Sequence, residues 1–244
     1  MRLSLVFALC AVLLGCSGGG TNTTDAGKPD AGDPVKVFGL DVGDCYELSV
    51  TDQVSTPPSL GAAIESDSTN AIWYFPDGGS TNVSARTMVY RQTGSVKMTD
   101  YLYVDDRNVL LLKRDVAGAE ETEYHPGLVV ARVPLKANDH LDQNDGGIRV
   151  FGGDGGSDLT GETFTFDVSA GTIATPGNPA GADAFTYNYS NGPDRLASWS
   201  FVAGSGTVEL SLQLPGDQAF PVYKLQNVRQ LAAGDQTCGS APTP

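Results

Sequence analysis

The chain has 244 residues, 40% of them hydrophobic, and it contains 30 glycines, 14 prolines and 4 cysteines. This length suits one large domain or two small ones, and the apolar content is enough to build a sizeable core. The formal net charge of −14 argues against a nucleic-acid partner and against electrostatic adhesion to anionic lipid, because both depend on clustered Lys and Arg.

An apolar run follows the first two residues. Residues 3–14 read LSLVFALCAVLL, preceded by the single positive charge of Arg2. A membrane-spanning helix needs roughly twenty apolar residues, so this shorter run is typical of a cleavable secretion signal.

The residues that end this run, Leu13-Leu14-Gly15-Cys16, resemble the lipobox of bacterial lipoproteins. In that family signal peptidase II cleaves before the cysteine, whose thiol carries a diacylglycerol. The resemblance therefore implies a signal peptide over residues 1–15, lipidation of Cys16, and processing by signal peptidase II and the lipoprotein-sorting machinery. A plain secretory signal with an incidental cysteine is the alternative.

Acylation would anchor the chain to a lipid bilayer. Two or three acyl chains would anchor the protein stably, because each methylene buried in the bilayer contributes about 0.8 kcal/mol. The residue after the cysteine is Ser17 and not Asp, which favours the outer membrane by the sorting rule of enteric bacteria. The predicted location is thus the outer membrane, lipid-anchored, on its periplasmic side or at the cell surface.

The segment after the anchor is a tether. Residues 17–34 read SGGGTNTTDAGKPDAGDP and contain no large apolar side chain. Such a composition cannot form a core and predicts a flexible linker. We therefore divide the chain into residues 1–15 as signal peptide, 16–36 as lipidated cysteine and linker, and 37–240 as a single β domain.

Two cysteines remain after Cys10 leaves with the signal and Cys16 is acylated. Cys45 and Cys238 lie near opposite ends of the folded region. In an oxidising envelope compartment such a pair predicts a disulfide. Two independent buried thiols are the alternative, and a redox thiol is disfavoured because the sequence has no CxxC motif.

Period-two alternation with β-branched and aromatic residues recurs from residue 36 onward, and no long helical pattern follows the signal. The spacing of the strands predicts an all-β, antiparallel meander that forms an open half-barrel or a sandwich. The predicted strands are Tyr46–Val50, Ala71–Phe75, Val83–Gln92, Met98–Val104, Val109–Arg114, Leu128–Pro134, Ile148–Phe151, Thr163–Val168, Ala184–Tyr189, Leu196–Val202, Thr207–Leu214 and Pro221–Gln230.

The middle of the chain carries a second resemblance. Residues 98–136 read MTDYLYVDDRNVLLLKRDVAGAEETEYHPGLVVARVPLK, and a Trp199-to-Gln226 segment follows near the end. This order is similar to Gram-negative envelope proteins expected to form an open half-barrel, which in turn resemble carriers that move lipoproteins across the periplasm. The chain departs from that pattern at residues 136–140 and 204–206, and the family supplies no catalytic residues.

A half-barrel would imply a concave apolar face that could hold an acyl chain. The aromatic residues that could line it are Trp73, Tyr101, Tyr103 and Trp199. The alternative is that these rings fill an ordinary sandwich core.

Catalytic patterns are scarce. The one G-x-S-x-G match, Gly15 to Gly19, lies in the processing site and the tether, so it cannot form a nucleophile elbow. His125 and His140 could each join a spatially assembled triad, but no local motif supports this. We therefore predict no catalytic residue, no cofactor and no zinc site, because zinc needs clustered Cys and His.

Calcium is the better metal candidate, because oxygen ligands are abundant in residues 139–158. The weak candidate ligands are Asp142, Asp145, Asp154 and Asp158, in a segment that fails the EF-hand template. Residues 139–194 hold 9 acidic and 1 basic side chains and 11 glycines, whereas residues 80–137 hold 7 acidic and 8 basic ones. A solvated acidic surface is the default interpretation, and a cation-binding or partner-docking face is the alternative.

These observations predict a lipid-anchored envelope protein with a non-enzymatic binding or structural role, with a partner protein of the envelope and without nucleic acid. The first alternative is a carrier or sensor of acyl chains or another apolar ligand in a half-barrel. The second is a hydrolase with spatially assembled residues around His125 or His140.

Overall fold

The structure is a computed structural model, and the residues it describes are 32–50, 59–118, 121–151, 157–191, 194–203, 205–214, 221–232 and 234–239. Twelve strands, each antiparallel to its neighbours, follow one another around a barrel in chain order. The strands are β1 (Asp44–Val50), β2 (Leu60–Tyr74), β3 (Ser80–Gln92), β4 (Ser95–Val104), β5 (Asn108–Val116), β6 (Glu121–Arg132), β7 (His140–Phe151), β8 (Ser157–Thr175), β9 (Asn178–Asn191), β10 (Asp194–Val202), β11 (Gly206–Leu212) and β12 (Val222–Gln230).

The all-β antiparallel meander is confirmed, and each predicted strand overlaps one observed strand. The sheet curls further than the expected half-barrel, because β1 pairs with β2 on one side and with β12 on the other. Pairing of the first and last strands removes the two free edges that an open sheet would expose.

The inside of the barrel is a packed aromatic core. Phe166, Tyr187, Tyr189, Trp199 and Phe201 are all buried there. Their rings meet edge-on or tilted, with centroids 5.3–6.2 Å apart, as in the pairs Phe166–Tyr187 and Tyr189–Trp199. Aromatic pairs at such distances add about 0.5–1.5 kcal/mol each beyond area burial. The described interior is therefore filled by the chain's own side chains.

A short helix closes one end of the barrel, which we call the plug end. Helix α1 (Pro34–Phe38) has Asp33 as N-cap and ends at Gly39, whose φ of 61° is the left-handed conformation that glycine adopts without strain. Phe38 inserts between Tyr187 and Phe201, with centroids 5.9 and 4.9 Å away. The helix spans the predicted boundary between linker and domain at residues 36 and 37. Within the described ranges no helix is long and apolar enough to cross a membrane.

The far half of the β2–β3 hairpin, residues 66–87, folds over the outer face of the barrel, and we call it the flap. Two register shifts, at Ile64–Ser66 and Ser66–Thr69, bend β2 where the flap leaves the barrel. Trp73 then lies beside Gly127, where an added Cβ would come within 2.7 Å of the Leu112 side chain. Trp73 therefore packs on the barrel wall at Gly127, where a larger residue would displace the end of the Leu112 side chain.

Among the described residues, the shortest pairing in the barrel wall is the one between β11 and β12, which we call the seam. Within the described residues these strands pair over three positions, from Glu209–Lys224 to Ser211–Val222. β12 continues to Gln230 alongside β1, whereas Gly206 and Thr207 of β11 pair with β10. The two strands therefore diverge on the N-terminal side of Glu209 in β11 and on the C-terminal side of Lys224 in β12.

The C-terminal segment crosses the outer face of β1 and β2. Cys238 forms a disulfide with Cys45, with the two Cα atoms 5.7 Å apart and 193 residues apart in sequence. Both cysteines are fully buried and pack with Ala63 in a cluster separate from the main core. Gly239 lies against Gly61, where a Cβ on either residue would clash with the other's backbone.

Candidate functional site

A polar cleft of about 690 Å³ opens at the plug end, next to Asp33 at the start of helix α1. We call it the rim cleft. It lies between helix α1, the start of the flap and the β4–β5 turn. Its lining residues are Asp33, Val35, Asp67, Ser84, Arg86, Tyr103, Val104, Asp105, Asp106, Arg107 and Asn108.

Hydrogen bonds between side chains and the backbone hold the rim cleft in shape. The Asp33 carboxylate accepts from the backbone N–H of Val35 at 2.9 Å and so caps the helix. One Asp105 oxygen accepts from the backbone N–H groups of Arg107 and Asn108, at 2.7 and 2.6 Å, which closes the β4–β5 turn. Arg86 donates to the Leu40 carbonyl at 2.8 Å and ties β3 to the plug.

One wall of the rim cleft is aromatic. Tyr103 lies on the outer face of β4, and its ring packs on Trp73 of the flap with centroids 5.1 Å apart. Trp73 in turn meets Phe75 edge-on at 4.8 Å. The flap therefore holds the tyrosine ring in place from behind.

The lining chemistry suits recognition of a polar ligand. It offers four carboxylates, two guanidinium groups, two hydroxyls and an amide, with a net formal charge of −2. Carboxylates accept hydrogen bonds, and guanidinium groups donate them in a planar fork. The residues that line it include neither His nor Cys.

The two histidines lie elsewhere, apart from each other and from the rim cleft. His125 stacks on Tyr74 of the flap, with centroids 3.5 Å apart, and its Nε2 lies 3.3 Å from Glu123. His140 is exposed, with Nδ1 2.6 Å from Asp167 and Nε2 3.1 Å from Asp142. Among the described residues, the hydrogen-bond partners of these two rings are carboxylates, and none is a serine hydroxyl.

The environment of His140 leads to a pH prediction. The hydrogen bond to Asp167, and then that to Asp142, raises the pKa of His140 above its usual 6.5. A raised folded-state pKa means that the pairing stabilises the fold below the unfolded pKa and is lost as pH rises through the folded one. We expect an NMR titration to give a His140 pKa above 6.5, and Asp167→Asn to lower it. Asp183→Asn, on the neighbouring β9, is the control and should leave it unchanged; equal effects would contradict the assignment.

The calcium site stays a prediction, because the side chains of Asp145, Asp154 and Asp158 lie outside the described ones. Asp142 is exposed and contacts His140. Asp145 lies on β7 and Asp158 on β8, opposite Arg149, and Asp154 lies outside the described residues. Among the described residues, no group of three or more His, Cys, Asp or Glu side chains could hold a metal ion.

The aromatic residues proposed to line one apolar face lie on different sides of the sheet, which corrects that expectation. Trp199 faces the interior. Trp73 and Tyr103 lie outside under the flap, and the Tyr101 hydroxyl donates to Asp115 at 2.9 Å. Alternation along β4 explains the difference, because inward-facing Leu102 places both of its neighbours outward.

A buried ion pair in the barrel interior was missed from the sequence. Asp100 has no exposed surface and accepts from Arg114 Nε at 2.6 Å and from Arg114 Nη2 at 2.8 Å. The Tyr90 hydroxyl donates to the same carboxylate at 3.2 Å. Burial and the Asp100 charge raise the pKa of Tyr90 well above its usual value, so this hydroxyl stays a donor. The arrangement satisfies the charges by pairing, and it is a structural feature of the core.

Comparisons with known proteins add little. No family model matches the chain, and no curated protein matches it. A solved structure from Bacteroides fragilis, described as an exported protein with a YmcC-like fold, is 10% identical and has a TM-score of 0.38. The match covers 80% of this chain and 99% of that one. A likeness of this strength carries no argument about function, which must rest on the chain's own residues.

Proposed function

We propose that the chain is a lipid-anchored protein of the bacterial outer membrane with a non-enzymatic role in binding or envelope structure. The observation that carries the proposal is Leu13-Leu14-Gly15-Cys16, placed between an apolar run and a tether without large apolar residues. Acylated Cys16 would hold the barrel at the bilayer, and signal peptidase II and the sorting machinery would be its processing partners.

Two features of the folded region support this proposal. The Cys45–Cys238 disulfide suits an oxidising envelope compartment. Helix α1 begins at Pro34, and its cap Asp33 lines the rim cleft, so a tether from Cys16 would join the barrel beside this cleft. The polar lining of that cleft suits the binding of a polar ligand.

The test is the membrane association of a Cys16→Ser variant. We expect the unaltered chain to take up an alkyne-labelled fatty acid and to sediment with outer-membrane fractions in a density gradient. Cys16→Ser should lose the label and stay out of the outer-membrane fractions, because no thiol remains at the processing site for acylation.

Cys10→Ser is the matched control, since it changes a cysteine within the apolar run and should leave labelling and fractionation unchanged. A Cys16→Ser protein that still carries the label, or that stays in the outer-membrane fractions, would contradict the anchor. Labelled protein found in the inner membrane would contradict only the sorting part of the proposal.

A further inference from the structure

Within the described residues, no strand pairs with residues 225–230 of β12 on the side away from β1. Residues 225–230 pair with β1 on one side, and within the described residues β11 pairs only as far as Lys224. A strand edge carries a row of backbone N–H and C=O groups that can pair with another extended chain. A fully closed barrel leaves no such edge.

A groove of about 440 Å³ lies along the same edge. It is lined by Leu225 to Val228 on β12, Ser205 of the β10–β11 turn and Thr175 to Gly177 at the tip of the β8–β9 hairpin. None of these lining residues is charged, although the chain as a whole carries a net charge of −14. The groove therefore offers a neutral wall beside the open backbone edge.

Val228 gives the groove an apolar contact point. It lies opposite Tyr46 of β1, and cross-strand partners share a face of the sheet. Tyr46 is buried inside the barrel, so Val228 also faces inward, yet 44% of its surface is exposed. Val228 is exposed because β11 and β12 diverge here and leave its side chain uncovered.

We infer that this seam is a docking edge for an extended, uncharged peptide segment of a partner protein. Strand addition supplies backbone hydrogen bonds along the edge, and alternate side chains of the guest enter the adjoining groove. An acyl chain would leave the backbone groups of β12 unpaired. A charged guest side chain would lose hydration against the neutral lining without gaining a partner. The inference is independent of how the chain is anchored.

The experiment uses the full chain, purified in mild detergent, and a fluorophore-labelled hexapeptide of alternating threonine and valine with blocked ends. We expect the peptide to bind at concentrations below about 1 mM, as measured by fluorescence anisotropy. Hydrogen exchange should show new protection of amides within residues 225–230. Strand addition depends mainly on the backbone, so a generic neutral strand is a fair probe.

Val228→Lys should weaken peptide binding about tenfold or more, because an inward-pointing charge blocks strand pairing. Val222→Lys is the matched control: Val222 is 39% exposed on the same strand but lies where β11 already pairs, so binding should be unchanged. Absence of binding, or protection elsewhere in the chain, would overturn the inference. Self-association of the chain that Val228→Lys abolishes would assign the edge to a second copy and overturn the choice of partner.

Discussion

Arg114→Leu is expected to lower the free energy of unfolding by about 3–5 kcal/mol, the cost typical of breaking a buried ion pair by removing one partner. Asp100 has no exposed surface, and Arg114 supplies two of the hydrogen bonds to its carboxylate. Without the guanidinium group the carboxylate must stay charged and unpaired in the core, or take up a proton. Either outcome destabilises the folded state relative to the unfolded state, in which water solvates the carboxylate.

Lys113→Leu is the matched control, because Lys113 is the preceding residue and pairs on the partly exposed outer face with Glu121 at 2.9 Å. Such a pair contributes about 0–1 kcal/mol, so the free energy of unfolding of this variant should stay close to that of the unaltered protein. The double variant Asp100→Leu with Arg114→Leu should be less destabilised than Arg114→Leu alone, since no orphaned charge remains. Urea titration followed by circular dichroism measures all of these. Equal free energies of unfolding for Arg114→Leu and Lys113→Leu would contradict the proposed role of the buried ion pair.

The strands could be predicted from the sequence because each one has its own period-two pattern. Closure of the barrel could not, since it depends on pairing between β1 and β12. These strands lie at opposite ends of the folded region, as the pairing of Asp44 with Gln230 shows. The bend of β2 was missed for a related reason. Residues 60–70 read LGAAIESDSTN and lose the apolar alternation where the two register shifts occur.

The buried ion pair left a partial signal in the sequence. Alternation along β4 places Asp100 on the same face as Met98 and Leu102, so a charge on an apolar face could have been noticed. Its partner is hidden by a bulge. Tyr101 pairs with Lys113 and Leu102 with Leu111, which leaves Leu112 as an extra residue and turns Arg114 inward. Strict alternation along β5 would instead place Arg114 on the outer face of the barrel.

The rim cleft could not be predicted because its residues are distant in sequence. Asp33, Asp67, Arg86 and Arg107 come from the helix cap, two strands of the flap and a turn. Each residue looks like an ordinary exposed side chain in its own segment. They become neighbours only when helix α1 docks on the barrel end and Arg86 bonds to the Leu40 carbonyl.

Cys238→Ala is expected to lower the free energy of unfolding by roughly 5 kcal/mol, the upper end of what the chain-entropy model assigns to a disulfide. The physical reason is the length of the loop that the bond closes, 193 residues between Cys45 and Cys238. Losing the bond should also release the C-terminal segment from the outer face of β1 and β2. Gly61, which packs tightly against Gly239, should then gain hydrogen exchange at its amide.

Cys45→Ala and the double alanine variant should cost about the same as Cys238→Ala, because each removes the same bond. Reduction of the unaltered chain should give a similar loss, and a non-reduced digest should yield one peptide containing both cysteines. Equal unfolding midpoints with and without reductant would contradict the prediction. A loss seen in Cys45→Ala alone would mean that packing beside Ala63, and not the closed loop, supplies the stability.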